Sequence, residues 1–152
     1  MKSLNGFWWV TLALVAFSAC SEPEPVEEIV EAFASGTPHL VEVYQGEGDE
    51  RQLIGEKEYY ESGNVKIEGA LVDGLRTGVW YAYFENGVVQ SEYNYKAGRR
   101  EGKCVVRYEN GQTYYEGLWE NDVKVGSWSY YLESGDLGST IDYGNESTPP
   151  SS

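Results

Sequence analysis

The 152-residue sequence predicts an all-β fold, an elongated antiparallel sheet of stacked β-hairpins with a 24-residue period. Three observations lead there. The tripeptides ESG at Glu61–Gly63, ENG at Glu85–Gly87, ENG at Glu109–Gly111 and ESG at Glu133–Gly135 recur at a constant step, 85 − 61 = 24. Gly78, Gly102 and Gly126 keep the same step, each followed two positions later by Trp80, Cys104 or Trp128. Between these markers apolar residues alternate with polar ones at period two, the pattern of a strand with one dry and one wet face. A short fixed period marks a repeat architecture, in which each unit buries its apolar face only against its neighbours.

Within a copy, the first strand places Trp80, Cys104 and Trp128 in one inward column, Ala82, Val106 and Tyr130 in a second, and Tyr60, Phe84, Tyr108 and Leu132 in a third. Lys103, Arg107, Ser127 and Ser129 stand between them and face water. The second strand repeats the logic with Val65, Val89, Thr113 and Leu137, then Ile67, Ser91, Tyr115 and Ser139, then Leu71, Tyr95, Trp119 and Tyr143. Its strands are joined by Glu-Asn/Ser-Gly, whose glycine accepts the positive φ of a tight turn. The far turns use Asp73-Gly74, Ala97-Gly98 and Asn121-Asp122. Each copy is therefore a hairpin, and a lone hairpin is marginal in water.

Three full copies run from Glu56 to Trp128, a fourth fades at Tyr143, and a partial one opens with Leu40–Gln45. There Val41 and Val43 precede Val65 and Ile67 by one period. The repeat domain is accordingly placed at residues 40–144, followed by a disordered tail at 145–152. Glu56 and Glu58 are read as polar protection at the entrance of the sheet.

The N-terminus has a different character. Lys2 precedes an apolar run, Phe7–Phe17, too short for the ~18 residues that span a bilayer as a helix. Residues 1–19 read as a cleaved export signal. Ser18-Ala19-Cys20 resembles the lipobox of bacterial lipoproteins, which implies lipidation at Cys20 and a membrane anchor there, and Ser21 resembles the choice that sorts such proteins to the outer membrane. The expected localisation is the bacterial cell envelope. Residues 20–39 then form an acidic tether, in which Val26, Ile29, Val30 and Phe33 at i, i+3, i+4 and i+7 predict a short helix, docked as a cap or left unfolded.

Charge narrows the partners. The chain has 11 basic and 25 acidic side chains; residues 1–19 hold one Lys, so the remainder carries 10 − 25 = −15. Such a chain repels phosphate backbones, which argues against nucleic acid. With Cys20 acylated, Cys104 has no partner for a disulfide. No cofactor or metal site is expected: His39 is the only histidine and has no cysteine near it in sequence. The glycines recur with the turns and form no phosphate loop.

Candidate interaction residues fall into two groups. Tyr59, Tyr81, Tyr83, Tyr114 and Tyr131 are expected on an exposed second face, with Trp119 as a further contact; tyrosine offers contact area at low entropic cost. Glu61, Glu85, Glu109 and Glu133 mark an acidic edge, and Arg76, Arg100 and Lys124 a basic one able to orient a protein partner. Cys104 reads as an inert buried thiol. Its small volume in a tryptophan column also leaves a gap that a partner's side chain or an acyl chain can enter.

Tyr115-Glu-Gly-Leu-Trp-Glu-Asn-Asp-Val-Lys-Val-Gly126-Ser-Trp128 resembles the MORN repeat, and the 24-residue copies with ENG turns resemble the MORN-variant proteins grouped as YwqK-family antitoxin-like. The likeness covers about Glu56–Tyr143 and departs from the pattern at Tyr93, where Gly is expected, and at Cys104, where Trp is. It implies a curved sheet of hairpins acting in binding or assembly, without enzymatic activity. Protein binding leads; an immunity or antitoxin role and glycan binding on the aromatic ladder are the alternatives.

Overall fold

A computed structural model describes residues 23–144 as one ten-stranded antiparallel sheet whose spatial order, β1 to β10, is the chain order. The strands are β1 (Val26–Ala32), β2 (Pro38–Gln45), β3 (Gln52–Tyr59), β4 (Val65–Val72), β5 (Leu75–Tyr83), β6 (Val89–Lys96), β7 (Arg99–Arg107), β8 (Thr113–Glu120), β9 (Val123–Tyr131) and β10 (Leu137–Asp142). Consecutive hairpins without a crossover are what the repeat predicts. Residues 1–19, read above as an export signal, Cys20 and the expected tail at 145–152 lie outside the described residues.

The hairpin turns are copies of one another. Phe84 N–H donates to Val88 O at 2.8 Å and Gly87 N–H to Phe84 O at 2.9 Å, and the same pair of bonds recurs at Tyr60, Tyr108 and Leu132. At the far end, Asp73-Gly74 and Ala97-Gly98 take two successive positive φ values, the turn whose twist matches a hairpin. Asn121-Asp122 does so without a glycine, at φ 48° and 68°. There Arg100 compensates, donating from its backbone N and its Nε to Asp122 Oδ1 at 3.1 and 2.8 Å.

The N-terminal segment departs from expectation. The predicted helix over Val26–Phe33 is strand β1, paired with β2 from Val26↔Tyr44 to Ala32↔Pro38. A helix of seven or eight residues is below the length that holds alone, whereas the open edge of β2 offers a ladder of backbone partners. The sheet therefore begins at Val26, inside the segment read as a tether. Its first turn is Phe33-Ala34-Ser35-Gly36, with the same two bonds as the later turns, Phe33 N to Thr37 O and Gly36 N to Phe33 O, both 2.9 Å. It precedes Gly63 by 63 − 36 = 27 residues because a 3₁₀ turn at Gly48–Glu50 lengthens the next connection. A search at step 24 misses it.

That insertion also changes the register of the first copy. Val41 pairs with Lys57 and Lys57 with Glu68, and Val43 pairs with Gly55 and Gly55 with Ala70, so Val41 and Val43 lie on the outer face, Val41 buried there, rather than in the columns of Val65 and Ile67. Leu40, opposite Glu58, takes the place aligned with Ile67. Glu56 and Glu58 are interior to the sheet, flanked by β2 and β4, and protect no edge. β1 is the edge, and Glu27, Glu28 and Glu31 stand on it.

The core is a single file of indoles. Trp80, Cys104 and Trp128 are buried, with Leu71 and Trp119 beside them. Each tryptophan sits on a glycine of the preceding strand: a Cβ at Gly69 would meet Trp80 at 2.3 Å, and one at Gly117 would meet Trp128 at 2.2 Å. The two departures from the repeat are one exchange. Tyr93 occupies the glycine position and is directly opposite Cys104 at the tryptophan position, so the bulky ring has moved one strand back. No gap is left for a ligand at Cys104: Tyr93 and Trp119 fill it, and Trp119 Nε1 donates to Cys104 Sγ at 3.2 Å.

Two predictions follow from this packing. Trp128→Ala should cost about 3–5 kcal/mol, read as a lower denaturation midpoint, as for other large-to-small core changes. Cys104→Trp alone should destabilise by about 1–3 kcal/mol through overpacking against Tyr93, and adding Tyr93→Gly should restore most of the loss. Equal midpoints for the single and double variants would contradict the exchange.

Candidate functional site

The two faces of the sheet are chemically distinct. On the core face, cations lie flat on the aromatic column: Arg51 over Tyr44 at 3.8 Å, Arg76 over Trp80 at 3.9 Å, Arg100 over Trp119 at 3.7 Å and Lys124 over Trp128 at 4.2 Å. Such contacts draw the cation onto the ring while its stem covers apolar surface. The expected basic edge of Arg76, Arg100 and Lys124 is therefore a lid on the core. Lys124 lies within 6 Å of five aromatic rings, including Tyr130 and Tyr143, and also donates to Tyr130 Oη at 3.2 Å. Arg100 is further held by Asp122, whose carboxyl that guanidinium keeps below the usual carboxylate range. Trp119 is buried under Arg100 and is a packing residue rather than a contact surface.

The acidic edge is present. Glu61, Glu85, Glu109 and Glu133 are exposed at the hairpin turns. Neighbouring turns are stitched by asparagines: Asn64 Nδ2 donates to Glu85 O at 2.8 Å and Asn110 Nδ2 to Glu133 O at 3.0 Å. The edge is thereby rigid and negative.

On the outer face a row of direct partners crosses the sheet, Lys57, Glu68, Tyr81, Glu92, Val105, Glu116 and Ser129. Oppositely charged and phenolic groups pair along it. Tyr83 Oη donates to Glu68 Oε1 at 2.7 Å, Tyr131 Oη to Glu116 Oε1 at 3.0 Å, and Lys103 Nζ lies 2.9 Å from Glu116 Oε2. Arg107 Nη1 comes within 2.6 Å of Glu92 Oε1 without the alignment of a hydrogen bond. The bonds from Lys103 and then Tyr131 hold the Glu116 carboxyl below its ordinary range. Burial, followed by the bond to Glu68, pushes the Tyr83 phenol up to about 12.

Of the tyrosines expected on this face, Tyr59, Tyr81, Tyr83 and Tyr131 are half-buried and Tyr114 is exposed. Tyr81 and Tyr83 stack at 6.3 Å, whereas Tyr114 leans on Tyr108 at 4.9 Å, toward the C-terminal end of the sheet. The hydroxyls of Tyr83 and Tyr131 are held in place by Glu68 and Glu116. The charged partners Glu92, Arg107 and Lys103 were not singled out for contact from sequence; the 24-residue step that Glu92 keeps with Glu68 and Glu116, and the alternation of all three partners with the core columns, are the signal.

Among the described residues no group of three or more His, Cys, Asp or Glu is arranged to hold a metal ion. His39 bonds to Glu31 at 3.1 Å and packs on Phe33. Burial raises the Cys104 thiol above its ordinary pKa, so it is protonated at neutral pH. No described helix is long and apolar enough to cross a membrane.

This geometry of stacked hairpins, with indoles set on glycines, agrees with what comparison finds in the sequence. Three segments match the MORN repeat variant. They are residues 56–70, 76–97 and 100–121, which coincide with β3–β4, β5–β6 and β7–β8. No curated protein matches the chain. MORN repeats in general form a non-enzymatic scaffold that binds protein or membrane. The first and last hairpins, β1–β2 and β9–β10, continue the same sheet outside the matched segments.

Cys104 should be unreactive toward a thiol reagent in the native protein at pH 8 and react within seconds to minutes once the sheet is unfolded by denaturant. Rapid native labelling would contradict its burial.

Proposed function

We propose that the chain is an envelope lipoprotein, anchored through Cys20, whose repeat ribbon is a non-enzymatic scaffold for a protein partner. The carrying observation is the asymmetry of the two faces. Cations seal the core face over the indole column, and the outer face is left as an ordered surface of half-buried tyrosines and paired charges running across several hairpins. Pre-bonded side chains lose little entropy on contact, and tyrosine and arginine are the residues that dominate protein interfaces. The exposed glutamates at the turns set the sign of the surround and disfavour partners with acidic surfaces. Five residues separate Cys20 from β1, so an anchor at Cys20 would keep the first strand near the membrane with the sheet in the aqueous phase.

The test is capture of bound protein by the lipidated chain from its native membranes, compared with a variant carrying Tyr81→Ala and Lys103→Glu. One stoichiometric protein retained by the parent and lost at least tenfold in the variant is the expected outcome. A toxic captured protein would specify an immunity role. Equal capture by both forms, or binding of glycan in place of protein, would overturn the reading. Trp119→Ala is not a suitable probe, because it removes a buried ring.

A further inference from the structure

The turns that mark the repeat set an asparagine directly before a glycine twice, at Asn86-Gly87 and Asn110-Gly111; the turns on either side carry Ser62 and Ser134 in its place. An asparagine side-chain amide is an electrophile held beside the backbone nitrogen of the next residue. A glycine there has no Cβ to hinder the approach. Both turns favour that attack in the same way. Asn86 Oδ1 accepts from Val88 N at 2.9 Å, and Asn110 Oδ1 from Gln112 N at 2.9 Å. A donor on Oδ1 fixes the side chain against the turn and stabilises the negative charge that this oxygen gains when Cγ becomes tetrahedral.

The two turns differ in what holds the leaving nitrogen and in access to the attacking one. Asn110 Nδ2 donates to the main-chain oxygen of Glu133 at 3.0 Å, whereas Asn86 Nδ2 reaches only the side-chain carboxylate of Glu109, at 3.3 Å. The first bond ties the amide to the backbone of the next turn; the second is longer and ends on an exposed, rotatable side chain. Gly111 is half-buried, and a Cβ built on it lies 3.9 Å from Val88 Cγ1; Gly87 is exposed, and a Cβ on it meets nothing within 4 Å. One restraint is common to both. The glycine N–H donates to the carbonyl three residues back, that of Phe84 or Tyr108, at 2.9 Å, so the turn must loosen before that nitrogen attacks.

We propose that Asn86 is a site of spontaneous deamidation, modified in the native protein in preference to Asn110. The Gly87 nitrogen gives its proton to solvent base and forms a bond to Asn86 Cγ. The Cγ–Nδ2 bond breaks, and Nδ2 takes a proton from water and leaves as ammonia. Water then opens the five-membered imide at one of its two carbonyls, giving aspartate, or isoaspartate with the main chain routed through the side chain. Either product sets a carboxylate between Glu85 and Glu109, so a bond between turns becomes a like-charge contact on the acidic edge. The reaction needs no partner and stands or falls apart from the protein-binding reading.

The test is incubation of the full chain at neutral pH in water enriched in oxygen-18, native and in denaturant, followed by peptide mapping with mass spectrometry that separates aspartate from isoaspartate. In denaturant the two Glu-Asn-Gly sites should convert at similar rates, because their local sequences match. In the native protein both should slow, with Asn86 ahead of Asn110 by about fivefold or more, the factor that one hydrogen bond of ordinary net strength represents. Each event should install one heavy oxygen. Asn86→Gln should abolish conversion at its own turn and leave the rate at Asn110 unchanged. On ageing, the thermal midpoint of the parent should fall while that of Asn86→Gln holds. Equal native rates at the two sites, faster conversion at Asn110, or an intact Asn86 in native protein aged for the time that fully converts the denatured chain would overturn the proposal.

Discussion

The fit of an indole onto a backbone without a side chain is the constraint on which this sheet depends. A single-layer sheet has no second layer to bury its apolar face, so its core must lie within the thickness of its own side chains. Trp80 over Gly69 and Trp128 over Gly117 achieve this by laying a large ring flat across the neighbouring strand. Guanidinium and ammonium groups then close the outer side of the rings. Removing the glycine would lift the indole into water, and removing the cation's stem would expose it from above. The Tyr93/Cys104 exchange shows that the constraint is on total volume across the strand pair, and that the order of large and small can be reversed.

The same closure decides where contact can occur. With Arg76, Arg100 and Lys124 committed to the aromatic column, the core face offers few free cations, and recognition passes to the outer face. On the outer face, charges are mutually compensated at short range, as between Lys103 and Glu116, so that the surface is polar but locally neutral. Pairing of this kind in partial exposure contributes little to stability. Its effect is to hold side chains in fixed positions, which lowers the entropic cost of docking. The turns, with Glu61, Glu85, Glu109 and Glu133, are the uncompensated acidic region.

The two ends of the sheet manage their edges differently. β1 places Glu27, Glu28 and Glu31 along its edge, which discourages pairing with another strand. β10 has Asp142 as its one charged residue among Leu137, Gly138, Ser139, Thr140 and Ile141. A stack that adds hairpins in one direction must stop somewhere, and among the described residues it stops at β10, paired on one side.

Period and alternation alone determined the hairpins from β3 to β10, their turns and the dry columns of Trp80, Cys104 and Trp128, because local turn chemistry and side-chain periodicity are properties of adjacent residues. They also located the acidic edge. Three matters were decided by tertiary structure. Val26–Phe33 has the spacing of a short helix and becomes a strand because β2 presents an open ladder to it. Arg76, Arg100 and Lys124 share a period that looks like a charged rim, yet a long side chain can fold inward over a ring as readily as outward, and proximity to the indoles settles which. Tyr93 and Cys104 looked like two separate lapses of the motif. Only the register of β6 against β7 places them opposite each other and makes them one packing solution.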